Sequence, residues 1–516
     1  MSLLRLFFLN LLLFFVGLIS AQTTYYVSEN GSNSNNGLTP ATAFETLQHA
    51  ADIVTVGDSV LVLQGNYVGF DIRKSASQNS PIVFKVIENS VVIDTRNSVT
   101  PDGINIENAS WIVLDGFEVM NQPRAGIRAA VSNFITIKNN YCHNNQRWGI
   151  FTGFTNDLTV ENNTCSYSTE EHGIYVSNSS DRPIIKNNNS FNNNGCGIHM
   201  NGDISMGGDG IISNAVVEGN ILNENGYGGG SALNMDGVQN SEIFNNLIYN
   251  NHATGIAMYQ IDGGDASKNN KVYNNTIIQP ADGRWCIISV DGSTGNTLYN
   301  NILINHHSFR GSIAIDAASV NGFVSDYNIL ENRLSDDDGN SNMTLSQWQS
   351  LGYDLHSMNA DPEEQIFVDY TSGNFHLLQT AQAIDAGTNL VLPIVFEDLD
   401  KFPRPQGSGF DIGCYEFTNA LEVDEENNPE SFHLFQNYPN PFNPTTTIVF
   451  RIAEFEFVNL RVYDVLGNEV ATLVNEEKPA GEYKISFDGT VLSSGVYVYQ
   501  LIAENYIFTR KMLLLK

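Results

Sequence analysis

Basic residues are scarce in this chain. Lys and Arg number 25 against 57 Asp and Glu, a formal net charge of −32 over 516 residues. That excludes a nucleic-acid reader, which needs clustered Lys and Arg to hold phosphates. It also weighs against unaided attraction of an anionic polymer. Either the ligand is neutral, or a local basic patch or bound cations carry it. Cysteine is thin as well. The five, Cys142, Cys165, Cys196, Cys286 and Cys414, form no Cys-x-x-Cys pair, so neither a zinc site nor a disulfide framework is indicated. Beyond residue 21 no apolar run reaches about 18 residues, so no transmembrane segment is expected in the mature chain. Strong helix formers are few between 103 and 318, where Val, Ile and Thr are abundant.

What is there is a repeat. A Gly-Ile pair recurs at Gly103-Ile104, Gly126-Ile127, Gly149-Ile150, Gly173-Ile174, Gly197-Ile198 and Gly255-Ile256, and Ala232-Leu233 and Cys286-Ile287 replace it in two further units. An Asn-Asn mark or a variant follows each time. Its second residue is Asn140, Asn163, Asn188, Asn220, Asn246, Asn275 and Asn301, with Asn328 next. A period of about 25 residues with variable insertions means stacked supersecondary units. Between marks, Ile135-Thr136-Ile137 and Leu158-Thr159-Val160 alternate as strands do. Three short strands and three turns fill one period, so each unit is one coil of a parallel β-helix, an all-β fold. A turn Asn repeated coil after coil can stack its amide on the next, satisfying donors and acceptors alike, and Asn tolerates a left-handed corner. These asparagines are therefore structural. Two residues past the mark lies an inward column: Cys142, Cys165, Leu222, Ile248, Ile277 and Leu303, with Ser190 or Phe191 in the Asn188 coil. Cys142 and Cys165 lie one above the other, close enough for a disulfide; buried free thiols in an apolar stack are expected instead.

Both ends differ from the repeat. Residues 1–21 read as a secretory signal: Arg5, the apolar run Leu6 to Ile19, and the small-residue cut site Ser20-Ala21. The mature chain then begins near Gln22. Residues 419–431 are acidic and polar, a linker. Residues 432–516 alternate as strands at Thr447 to Ile452, Val458 to Tyr463, Tyr483 to Phe487, Val496 to Ala503 and Ile507 to Leu514, with turns such as Leu466-Gly467-Asn468-Glu469 between them. That is a small β-sandwich. The pieces NYPNPFNP, VYDVLGNEV, LSSGVYVYQL and TRKMLLLK closely resemble the C-terminal sorting domain of the type IX secretion system. The resemblance implies the secretion machinery as partner and a secreted or outer-cell-surface protein. The domain would be removed or used as an anchor.

Within 22–418, the pieces TYYVSENGSNSNNG, AFETLQHAADIV, GDSVLVLQGNYVGF and, near the end, KFPRPQGSGFDIGCYEF resemble secreted bacterial right-handed parallel β-helix proteins of the pectate-lyase-like superfamily. Ala43 to Val54 reads as a short amphipathic helix capping the open end of the solenoid. Asp385, Arg404 and Asp411 are expected to fix the last coil.

Counting outward from each Gly-Ile pair gives two solvent-facing columns. The first is Asn105, Arg128, Phe151, Tyr175, His199, Asn234 and Ala257; the second is Glu107, Ala130, Gly153, Ser177, Asn201, Asp236 and Tyr259. Phe151 and Tyr175 could stack on sugar rings. The turns add His172, Arg147 and Trp148, and insertion-like stretches at 202–212 and 261–265 rim the same face. This set fits β-elimination on a uronic-acid polysaccharide. His199 is the candidate base and Tyr175 the acid. Asn201, Asn234 and Arg128 would neutralise the sugar carboxylate. Phe151, His172, Tyr259, Arg147 and Trp148 would bind substrate. Asp203, Asp209 and Asp236 could hold Ca²⁺. C5 epimerisation uses the same groups. A glycoside hydrolase would need two carboxylates, Asp236 with Glu171 or Asp203; a glycan-binding adhesin would need no turnover at all. The chain lacks the Asp-Pro-His motif of mannuronan epimerases, and Trp111-Ile112-Val113-Leu114-Asp115-Gly116 departs from the Trp-Ile-Asp-His signature of pectate lyases.

Overall fold

A computed structural model describes residues 22–87, 90–418, 433–434, 437, 442–452, 456–464, 469–479, 481–503 and 506–514. The signal at 1–21 and the linker at 419–431 lie outside these residues. Two compact units divide between Thr418 and Asn419.

The first unit is a parallel β-solenoid. One wall is a 12-stranded sheet, and the other two walls join into a 22-stranded sheet. Every pairing between successive coils is parallel, with equivalent residues in register: Ile127 meets Ile150, Ile150 meets Ile174, and Ile174 meets Ile198. The apolar columns turn inward as the alternation requires, and the inward column past the Asn mark is fully buried. In the open coil the inward residue is Ser190, paired with Cys165 on one side and Leu222 on the other. Its hydroxyl is satisfied by the Gly197 carbonyl at 2.8 Å. All five cysteines are buried and free.

The Asn marks divide two tasks between neighbours. The first residue of each pair takes the left-handed corner: Asn139, Asn162, Asn187, Asn245, Asn274 and Asn300 have φ between 51° and 57°. The second builds the ladder. Asn140 Nδ2 donates to Asn163 Oδ1 at 2.9 Å, and the chain continues through Asn188, Asn220, Asn246, Asn275, Asn301 and Asn328 at 2.9–3.0 Å. It ends where Asn328 donates to Asp354 at 3.0 Å. A second ladder, Asn193 to Asn225 to Asn251 at 2.9 and 3.1 Å, lies five residues past the first in each coil, where Asn192-Asn193 and Asn250-Asn251 are doubled in the same way.

Both ends are closed. Helix Leu47–Ile53 buries Leu47, Ala50 and Ala51 and is capped by Thr46; it is shorter than the 43–54 span expected, because Thr46 caps it late. Helix Leu345–Ser350 seats the fully buried Trp348 beside Phe323 at the other end. Farther on, Arg404 and Glu416 form a fully buried ion pair at 2.7 Å. Asp411 receives the Asp385 N–H at 2.7 Å. These groups fix the closing segment, as expected of them.

The second unit has antiparallel strands in a three-stranded and a four-stranded sheet. Its strands are His433–Leu434, Thr445–Ile452, Glu456–Tyr463, Glu469–Lys478, Gly481–Asp488, Gly495–Ala503 and Tyr506–Leu514. Strand Glu469–Lys478 went unmarked in the sequence because its mostly exposed, Glu-rich stretch hides the alternation. It lies at a sheet edge, where one side needs no partner.

Candidate active site on the Gly-Ile face

The two outward columns stand as counted. Arg128 pairs with Asn105 and Phe151, Phe151 with Tyr175, Tyr175 with His199, and His199 with Asn234. Ser177, Asn201, Asp236 and Tyr259 follow in the second column. Stacked coils bring rings together. The Tyr175 and His199 rings lie 4.7 Å apart and nearly parallel. Trp148 stacks on Phe151 at 4.5 Å, and Phe151 meets Tyr175 edge-on at 5.4 Å. The Arg147 guanidinium lies 4.6 Å over the Trp148 ring and pairs with Glu171. Trp148 Nε1 donates to the same carboxylate at 2.7 Å.

His172, in the turn before Gly173, determines what His199 can do. The Cys196 backbone N–H donates to His172 Nδ1 at 2.9 Å. A neutral imidazole has one N–H, so His172 carries it on Nε2. That nitrogen is 2.8 Å from His199 Nδ1, and it donates there. His199 must then keep its own proton on Nε2, which has no partner among the described residues. Burial holds both rings neutral: it pulls His199 down to about 4, and burial, then His199, then Arg147 pull His172 well below its usual value. His199 therefore offers the groove an N–H, not a lone pair. This corrects its expected role as base.

Tyr175 is also a donor. Asn201 Nδ2 donates to its hydroxyl oxygen at 3.4 Å, Ser177 lies beside the same hydroxyl, and burial raises its pKa so that it stays protonated. Asn234 Nδ2 does the same for Tyr259 at 2.7 Å. Asn201 and Asn234 are only 5% and 3% exposed and hold the tyrosines from behind. Arg128 is tied to Asn105 at 2.6 Å and lies 3.7 Å from Glu107. Three coils separate it from His199, about 14 Å, so it cannot neutralise a carboxylate held at His199.

The insertion loops rim this face and are tied to each other. Gly264 N–H meets the Gly210 carbonyl at 2.8 Å and Ile204 N–H the Asp262 carbonyl at 3.0 Å. Asp236 accepts the backbone N–H groups of Ile261, Asp262 and Gly263 at 3.0, 2.8 and 3.0 Å. Asp203 caps a short turn through Ser205, and Asp209 accepts from Ile211 at 3.0 Å. These three aspartates are not gathered within ligand distance of one another. Asp236 and Glu171, the pair a hydrolase would use, are each committed to neighbours: Asp236 to three backbone N–H groups, Glu171 to Arg147 and Trp148. The donors that do converge are His172, Cys196 and His199, all within 4.8 Å. Cys196 went unnoticed because it lacks a Cys-x-x-Cys partner; its visible signal was the position before Gly197-Ile198, the place of His172 and Trp148 in their coils. A metal there would need the His172 Nε2 proton moved to Nδ1, where the Cys196 N–H already points. Burial also pushes the Cys196 thiol up to about 12, against the thiolate that a metal requires.

Residues 76–203, which include His172, Tyr175 and His199, match the family model of the right-handed beta helix region. Residues 436–515 match that of a secretion system C-terminal sorting domain. The chain is a right-handed parallel β-helix joined to a sorting domain. That domain implies a secreted or cell-surface protein, and among the described residues no helix is long and apolar enough to cross a membrane. The uncharacterized protein YwoF of Bacillus subtilis is 26% identical over 265 residues, covering 48% of this chain and 46% of its own. The chain thus spans about half the length of that relative. Among solved structures, a rhamnogalacturonan lyase is 16% identical with a TM-score of 0.43, over 56% of this chain and 84% of its own. An alginate lyase from Paenibacillus is 16% identical with a TM-score of 0.39, over 52% and 94%. The A-module of an Azotobacter vinelandii mannuronan C-5 epimerase is 14% identical with a TM-score of 0.37, over 61% and 93%. At these identities and scores, what those enzymes act on stays with them.

Proposed function

We propose that the Gly-Ile face of this β-helix binds a uronic-acid polysaccharide outside the cell and acts on it as a lyase or C5 epimerase. The observation that carries the reading is the donor set at Tyr175 and His199, 4.7 Å apart and fixed in protonation by Asn201 and His172. Both reactions need the sugar carboxylate neutralised so that its α-proton becomes removable. The His199 N–H and the Tyr259 hydroxyl supply that without a cation, which suits a chain short of Lys and Arg. Elimination also needs a proton for the leaving oxygen, and the Tyr175 hydroxyl carries one. Phe151, half-buried and backed by the buried Trp148, forms the adjoining stacking surface for a pyranose ring. Ca²⁺ at Asp203, Asp209 or Asp236 would be an adjunct to this reading and not its basis, since the three are not gathered as one ligand set.

The test is incubation of the full chain with a panel of uronic-acid polysaccharides, with and without added Ca²⁺. Ultraviolet absorbance reports the unsaturated product of elimination, and proton exchange at C5 reports epimerisation. Activity in the wild type and its loss in Tyr175→Phe would support the reading. No turnover of either kind on any polymer would refute it and leave a glycan-binding solenoid.

A further inference from the structure

With the histidine and tyrosine of the groove fixed as donors, the reaction lacks a proton acceptor. We propose that Asp262, carried on the insertion loop 261–265, is the catalytic base that removes the C5 proton, and that Asp236 is the positioning residue that holds the loop. The inference rests on the lyase or epimerase reading above.

Three observations carry it. The first is elimination among the carboxylates around the groove. Glu171 is engaged by Arg147 and Trp148, and Asp236 by three backbone N–H groups. Asp203 takes both the N–H and the hydroxyl of Ser205. The second is the placement of Asp262. Its side chain has one hydrogen bond, from Asn201 Nδ2 at 3.3 Å, and the residue is exposed. That same Nδ2 donates to the Tyr175 hydroxyl at 3.4 Å. One amide therefore sets the acceptor and the proposed acid side by side, with lone pairs of the carboxylate left open. The third is preorganisation. An exposed loop aspartate would ordinarily wander, but here the backbone of Asp262 is held at both ends of its peptide. Its N–H goes to Asp236 at 2.8 Å, and its carbonyl receives the Ile204 N–H at 3.0 Å. A group held this way loses little freedom in reaching its reactive position.

The step balances as follows. The C5 proton passes to the Asp262 carboxylate, and the C5–H electron pair becomes the C4=C5 bond. The C4–O pair leaves with the glycosidic oxygen, which takes the Tyr175 proton. The proton on Asp262 then reaches the Tyr175 phenolate through solvent and restores both groups. In epimerisation the C4–O bond survives, water gives C5 a proton on its opposite face, and the resulting hydroxide takes the proton from Asp262.

Asp262→Asn tests this on a polymer that the wild type turns over. The variant keeps the shape and the loop N–H, so its thermal midpoint and its binding of an unreactive oligosaccharide should match the wild type. Its kcat should fall by about 100-fold or more, the usual contribution of a general base. Asp262→Glu should recover part of it. Asp236→Asn should lower kcat and raise the mobility of the loop, seen as faster amide exchange at 261–263. An Asp262→Asn variant with wild-type kcat on that polymer would overturn the assignment of the base and leave the lyase or epimerase reading standing. A wild type inactive on every polymer would overturn both.

Discussion

The sharpest prediction concerns two adjacent asparagines with different work. Asn163 is 1% exposed. Its Oδ1 accepts the Asn140 N–H at 3.0 Å and the Asn140 Nδ2 at 2.9 Å. Its Nδ2 has two hydrogens, shared among Asn188 Oδ1 at 3.0 Å and the Ile137 and Glu161 carbonyls at 2.9 and 3.1 Å. Asn163→Ala therefore removes about four hydrogen bonds and strands a buried backbone N–H. At about 1 kcal/mol each the loss is about 4 kcal/mol. Asn162, one residue earlier, has a φ of 56° and serves only the corner. Asn162→Gly keeps that conformation and should change stability by no more than about 0.5 kcal/mol. All four tryptophans, Trp111, Trp148, Trp285 and Trp348, lie in the solenoid. Guanidinium unfolding of the full chain followed by tryptophan fluorescence thus isolates the solenoid. A loss below about 1 kcal/mol in Asn163→Ala, or an equal loss in Asn162→Gly, would refute the division of labour.

Other expectations follow from the same structure. Arg404→Met should destabilise the solenoid by about 3–5 kcal/mol, because it leaves Glu416 charged and buried; the double variant Arg404→Met/Glu416→Leu should recover most of that in the same unfolding assay. Stability should fall as pH drops from 6.5 towards 4. The unfolded His199 gains a proton near 6.5, whereas the folded ring does so only at about 4, a loss of up to about 3 kcal/mol, and His199→Asn should flatten that limb. Asp411, raised to about 6 by burial, works the other way, since the folded chain binds its proton more tightly, so stability due to this group falls as pH rises from about 4 to 6. With every cysteine buried and free, a thiol reagent should label none in the native protein and all five after denaturation, and a reductant should leave the thermal midpoint unchanged.

The sequence carried the architecture because the architecture is periodic. Strand alternation places a residue in or out, and a fixed repeat stacks like on like, so the columns from Asn105 to Ala257 and from Glu107 to Tyr259 were legible and in register. The Asn marks likewise read as corners and ladders, since one side chain met its copies one coil away. Strand Glu469–Lys478 escaped because an exposed, charged edge has no alternation to show. The second amide ladder, Asn193 to Asn251, escaped because it repeats with the same period only five residues past the first, and Glu224-Asn225 breaks its doubling. Chemistry was less legible still. Column position brought Tyr175 and His199 together, but which nitrogen of His199 bears the proton depends on a backbone N–H of Cys196 reaching His172 from the next coil. That loop 261–263 is gripped by Asp236 and brings Asp262 beside Asn201 depends on how two insertions fold over the face. Repetition in sequence determined the frame; the protonation states and the reach of the loops were decided by contacts between coils, which no spacing along the chain encodes.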